Sequence, residues 1–262
     1  LDFGSMQPAT ISNEELKKEF QNALKLQQEK KYDEALSIYT SLLDKNPDLN
    51  PDQISDISYN AGLSAYLNKN YLQSYIYNQK ALLLNPYNRA AKNFAPQIQT
   101  QYQYKNPPHD ITVTENLNKL GFNYLPLEVL WLGSLIFLAL LLKNITQHYV
   151  KQKESFNKGF LPPKFSLKNY VWLVFFIIFS CLTGFKVWEQ LTPKALVKTD
   201  ALSLRTAAGE NQASLTDLPG GSLVEILRTQ TVSETLYLQI KYPGGASGWV
   251  KKDDLEIISM PK

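Results

Sequence analysis

The sequence has little of what active centres are made from. It holds one cysteine, Cys181, and two histidines, His109 and His148, in 262 residues. A single cysteine excludes an internal disulfide, and no His/Cys spacing suits zinc. The net charge is only +3, and Lys and Arg cluster in one loop alone, which argues against nucleic acid as a partner. Neither a phosphate-cradling GxxxxGK[ST] loop nor a DxSxS metal motif is present. The remaining Asp and Glu are scattered, so no group of titratable side chains suggests a pocket catalyst. The expectation is a non-enzyme with no cofactor and no metal site.

Charge itself is almost missing from two windows. Residues 125–142 read LPLEVLWLGSLIFLALLL, with Glu128 the only charge. A helix of that length spans about 27 Å, close to the roughly 30 Å hydrocarbon core of a bilayer. Residues 170–185 read YVWLVFFIIFSCLTGF and are followed by Lys186 and Trp188. A terminal Lys snorkels and Trp suits the interface, so the second span is expected over 170–188. Buried helices of a soluble core carry a polar stripe that neither window shows. An intramembrane carboxylate is a functional candidate by default, but Glu128 lies one turn inside the end and reads as an interfacial side chain. Ser180 and Gly184 form a small-xxx-small pair on the second span, a candidate helix–helix contact.

The loop 143–169 holds six lysines against one acid, Glu154. Short Lys-rich loops stay on the cytoplasmic side. Both flanking domains are then expected outside, in the periplasm of a Gram-negative inner membrane. Leu1 is not an initiator; residues 1–15 are read as an N-terminal segment that follows either a cleaved signal or an expression scar before Met6.

Residues 16–105 read as a helical repeat domain. Ala23, Leu26, Tyr32, Ala35, Tyr39, Leu42 and Pro47 fall where a tetratricopeptide repeat (TPR) places its small, aromatic and helix-ending residues. Gly62, Tyr71, Ala81 and Pro86 repeat the pattern, with the prolines 39 residues apart, and residues 88–104 look like a capping helix. In this register a concave groove would show Phe20, Leu24, Tyr59, Asn60, Leu63 and Tyr66. These six suit a partner segment, with aromatics supplying contact area. Packing against neighbouring helices explains them equally well. Residues 106–124 form a linker.

From 195 to 262 the composition changes to short alternating segments with Gly and Pro turns. Strands are expected over 202–205, 223–227, 236–240 and 247–250, with turns at 218–221 and 243–245. Some five short strands suit a small barrel. Leu202 to Arg205, the turn Leu218 to Ser222, and Ser247, Gly248, Trp249 and Val250 before Asp254 and Leu255 resemble a bacterial SH3 domain. The tryptophan that often precedes the Tyr-containing strand is absent, with Thr235 and Leu236 in its place.

The fold class is thus multidomain: an all-α TPR array, a transmembrane helical hairpin and an all-β SH3-like barrel. That order, with Tyr59 to Gly62, Ala81 to Pro86 and Gly248 to Val250, resembles the BatE proteins of the Bacteroides aerotolerance group over essentially the full length. The resemblance implies an aerotolerance role in the inner membrane beside von Willebrand A-type Bat proteins, BatD and a MoxR-type AAA+ ATPase. Two functions are expected from the residues and this resemblance. One is a scaffold that assembles Bat-type membrane proteins in a lipid bilayer. The other is a peptidoglycan-binding membrane protein that uses its barrel.

Overall fold

The computed structural model describes residues 14–46, 48–103, 122, 125–161, 164–165, 167–242 and 247–258. The expected helix-ending Pro47, the turn at 243–245 and all of the 106–124 linker except Phe122 lie outside them. The chain divides into two units, Leu1–Asn116 with Pro193–Lys262, and Leu117–Thr192.

The first unit opens with five helices, α1 (Glu14–Gln28), α2 (Tyr32–Lys45), α3 (Pro51–Leu67), α4 (Tyr71–Leu84) and α5 (Arg89–Gln101). Each packs on the next. Local sequence sets their limits. Asn50 and Gln53 form a reciprocal capping box at the start of α3, and Pro51 occupies its first turn. Asn70 and Asn88 cap α4 and α5 by accepting from the backbone N–H groups of Gln73 and Ala91.

The turns inside the two hairpins are the same. Lys30 and Lys69, 39 positions apart, are both left-handed, with φ of 64° and 63°. In the first turn Lys31 N–H reaches Leu26 C=O and Lys30 N–H reaches Gln27 C=O; in the second Asn70 reaches Ala65 and Lys69 reaches Tyr66. This crossed pair closes a helix end.

The second half of this unit is a seven-stranded antiparallel sheet: β1 (Lys194–Val197), β2 (Ala201–Arg205), β3 (Ser214–Pro219), β4 (Leu223–Val232), β5 (Thr235–Lys241), β6 (Ser247–Lys251) and β7 (Leu255–Ile257). Their order is β3-β2-β6-β5-β4-β1-β7. Inward residues of these strands, among them Ala195, Leu204, Val224, Leu238, Ile240 and Val250, form one apolar cluster. The sheet corrects the expected five strands to seven. β1, β3 and β7 are short or carry few apolar residues, so alternation does not announce them. Leu218 and Pro219 belong to β3 rather than to a turn, because Leu218 is a core residue.

The second unit is a hairpin of α6 (Leu127–Asn157) and α7 (Leu167–Leu191). Both helices are long and apolar enough to cross a membrane, and only 11% and 6% of their most apolar windows is buried. They do not behave as core helices of a soluble protein. α6 continues well past residue 142, so the first part of the lysine loop is helical. The contact between them centres on Phe137, whose ring lies 5.0–5.9 Å from those of Trp172, Phe175 and Phe179. Gly133 has no side chain because the Phe179 ring occupies that space, at 2.6 Å from where a Cβ would stand. Ser134 and Ser180 share a hydrogen bond of 2.9 Å.

Candidate functional site

The barrel presents its polar and aromatic side chains as a transverse row. In β6 the exposure alternates, with Gly248 and Val250 inward and Ser247, Trp249 and Lys251 outward. Trp249 stands directly opposite Arg205 on one side and Gln239 on the other, and Arg228 is opposite Gln239. Opposed residues of an antiparallel ladder share a face. Arg205, Trp249, Gln239 and Arg228 therefore run across four neighbouring strands on the outer surface.

The row is fixed from below and from the side. Gly248 is required beneath it, since a Cβ there would lie 2.4 Å from the Leu204 side chain and 3.0 Å from the Arg205 carbonyl oxygen. Only glycine lets β2 and β6 approach so closely. The Arg205 guanidinium donates to the Gly209 carbonyl oxygen at 2.9 Å and also to that of Glu210, which ties it to the connection between β2 and β3. Lys251 donates to the Glu210 carboxylate at 2.6 Å. That bond and its charge hold the Glu210 carboxyl below its ordinary value and the Lys251 ammonium above its own. The result is a half-buried indole with Arg205 on one side and Gln239 on the other, and Arg228 one strand beyond Gln239. Such a surface offers a stacking plane for a sugar or peptide and donors for its oxygen atoms.

The six expected groove residues are distributed differently. Phe20 is buried in the first helical core, 5.6 Å from the ring of Tyr39, and Leu24 packs against the same cluster. Tyr59 and Leu63 are buried with Phe94 of α5, and Tyr66 lies at the edge of that cluster. The Phe94 ring stands 6.0 Å from Tyr59 and 5.2 Å from Tyr66. Asn60 has no exposed surface and donates to the Asp56 carbonyl oxygen in its own helix. The structure thus gathers Tyr59, Leu63 and Tyr66, but under α5 rather than on an open face. Of the two readings of these residues, internal packing describes the burial of Phe20, Tyr59, Asn60 and Leu63. Leu24 and Tyr66 keep intermediate exposure.

The expected helix contact also divides. Ser180 meets Ser134, whereas a side chain at Gly184 would meet nothing within 4 Å. The next small position along α7 therefore faces open space rather than α6. Sequence reasoning missed Arg205, Gln239 and Arg228 as members of one row with Trp249. Their signal is strand register, which a sequence without a defined turn pairing does not display.

Comparison with known families gives one result. Residues 203–256 match the model of the GW (Gly-Tryp) dipeptide domain. The match takes in Gly248, Trp249 and the whole row described above. No curated protein and no solved structure matches the chain.

Proposed function

We propose that this chain is a membrane-anchored cell-wall-binding protein that grips wall polymer through the Trp249 face of its barrel. The observation that carries this reading is the GW-domain match over 203–256, supported by the outward Trp249 between Arg205 and Gln239. GW modules are SH3-like domains associated with bacterial cell walls. The two apolar helices supply the anchor, and the barrel and the helical array extend from the membrane on its outer face. The loop between the helices lies in the cytoplasm, as its lysines favour.

Purified full-length protein in detergent, mixed with purified sacculi and sedimented, tests this directly. Wild-type protein is expected to pellet with the wall, and Trp249→Ala to lose at least about tenfold in affinity, the loss of one aromatic anchor. Equal sedimentation of the two proteins, or none by either, would sink the reading.

A scaffold role is the second reading. The matching αL turns at Lys30 and Lys69, 39 residues apart, support two tetratricopeptide-type hairpins, and such arrays hold protein partners. In this reading the partners are von Willebrand A-type Bat proteins, BatD and a MoxR-type ATPase. Pull-down from solubilised membranes with and without the helical array distinguishes it from wall binding.

A further inference from the structure

Two parts of the first unit, far apart in sequence, meet in a contact of unusual chemistry. Lys80 of α4 forms an ion pair with Glu256 of β7, and their side chains retain only 9% and 16% exposure. At the C-terminal end of α5, the Tyr102 hydroxyl donates to the Gly220 carbonyl oxygen at 2.9 Å. Gly220 sits so close beneath Leu72 of α4 that a Cβ would lie 2.9 Å from its methyl groups and 2.7 Å from the Thr199 carbonyl oxygen. Asn70, Leu72, Gln73, Ile76 and Tyr77 face Lys198 and Glu256 across a cleft of about 250 Å³. The barrel side of this contact is β1, β7 and the turn after β3. None of the Trp249 row lies on these elements.

We infer that the α4–α5 face of the helical array is the receptor for the barrel of the same chain, and that the Lys80–Glu256 pair is its specific latch. A charge buried to this degree is stable only with its partner in place. Separation of the domains would leave a lysine on α4 among Ile76, Tyr77 and Ala81, and a carboxylate on β7, each seeking water. The pair therefore favours one docked register over others. Glycine at 220 points the same way, since any side chain there would push Leu72 off the turn. Residues 80 and 256 lie on opposite sides of the two apolar helices in sequence, so the latch requires both domains to share one side of any bilayer those helices cross. Docking by β1 and β7 leaves β2, β6, β5 and the Trp249 row uncovered. The array then acts as a fixed mount for the barrel, and anything bound to the row is held in a set relation to α4 and α5. This inference does not depend on what the row binds.

Hydrogen exchange of the full-length protein in detergent micelles reads the latch segment by segment. Lys80→Glu and Glu256→Lys, each alone, are expected to speed exchange in residues 218–222 and 72–80 by at least about tenfold, as loss of a buried partner implies. The double reversal Lys80→Glu/Glu256→Lys is expected to restore slow exchange in both segments together. Single variants that exchange like wild type, or a double variant as open as the singles, would overturn the latch. Should Lys80→Glu unfold the array, Tyr102→Phe decides the matter. It removes one hydrogen bond across the contact and no charge, and is expected to speed exchange at 218–222 by roughly two- to tenfold. Unchanged exchange at 218–222 in Tyr102→Phe would overturn the inference.

Discussion

The barrel and the helical array are built on opposite terms. The barrel core is a continuous apolar cluster from Ala195 to Leu255, with Leu204, Val224, Leu238 and Ile240 fully buried. The second helical hairpin instead brings small polar residues together. Ser55, Ser58 and Gly62 of α3 follow helical spacing, as do Ser74, Asn78 and Ala81 of α4. Gly62 lies against the backbone of Ser74 and Asn78, and the Ser55 hydroxyl reaches the Ala81 carbonyl oxygen. Small side chains allow this close approach, but they bring hydroxyl and amide groups with them. Ser58 Oγ, Ser64 Oγ, Ser74 Oγ, Asn60 Oδ1 and Asn78 Oδ1 are buried without a hydrogen-bond partner. A buried polar atom left unpaired costs about 1–3 kcal/mol, so the array is expected to be the less stable half.

The sharpest test of this contrast is a core truncation in the barrel. Ile240 has no exposed surface and stands in the central strand β5. Ile240→Ala is expected to destabilise the barrel by about 3–4 kcal/mol, through lost burial and the cavity left behind. Exchange rates in β4, β5 and β6 measure it. A loss below about 1 kcal/mol would mean that the barrel core relaxes as easily as a loose one, and the contrast would fall.

Asp56 offers a second test, through pH. Burial, with Asp52 nearby, raises its carboxyl to about 6 from 3.8. The Asn88 amide donates to the same carboxyl at 3.2 Å. Because the folded value lies above the unfolded one, the folded array binds the proton more tightly between those pH values. Asp56 therefore favours folding most below about pH 4, and that contribution is lost as pH rises through about 6. At a half-buried site screened by solvent the swing is about 1–2 kcal/mol. Asp56→Asn is expected to flatten the difference in array stability between pH 5 and pH 7.5, measured by urea unfolding. A variant that keeps the wild-type slope would assign the pH dependence elsewhere.

The contrast also explains what was readable in advance. The two long apolar helices and the helical hairpins were legible because their signals are local: an almost uncharged window in one case, and Ala, Gly, Tyr and Pro at repeat spacing in the other. The Gly248-Trp249 pair was visible as a motif, but its neighbours were not. Arg205 and Arg228 reach the Trp249 row only through strand register, set by pairings 44 residues apart at Arg205 and Trp249. The groove residues read as a face because Tyr59, Leu63 and Tyr66 share a helical side. Nothing in that spacing says that Phe94 of α5, two helices on, will cover them. β1 and β7 escaped because three or four residues hold too few alternations to register as a strand.

The smallest expected effect is the most discriminating, because its sign divides within one helix. Ser55 and Ser64 both lie in α3 and both have no exposed surface. The Ser55 hydroxyl donates to the Ala81 carbonyl oxygen at 2.8 Å and accepts from the Asn88 amide at 3.0 Å. The Ser64 hydroxyl has no partner. Alanine suits a helix better than serine by a few tenths of a kcal/mol at either place. At Ser64 the substitution also removes a desolvated hydroxyl that makes no bond, so Ser64→Ala is expected to stabilise the array by about 0.5–1.5 kcal/mol. At Ser55 it removes two bonds, leaving the Asn88 amide only its bond to Asp56 and the Ala81 carbonyl only that from Asn85 N–H. Ser55→Ala is therefore expected to destabilise by about 1–2 kcal/mol. Chemical unfolding of both variants, followed by helical signal, decides between the alternatives. If both substitutions destabilise, the hydroxyl of Ser64 has a partner in solution, and the polar seam is a satisfied network. If both stabilise, the Ser55 bonds contribute nothing. Opposite signs are the outcome that the seam demands.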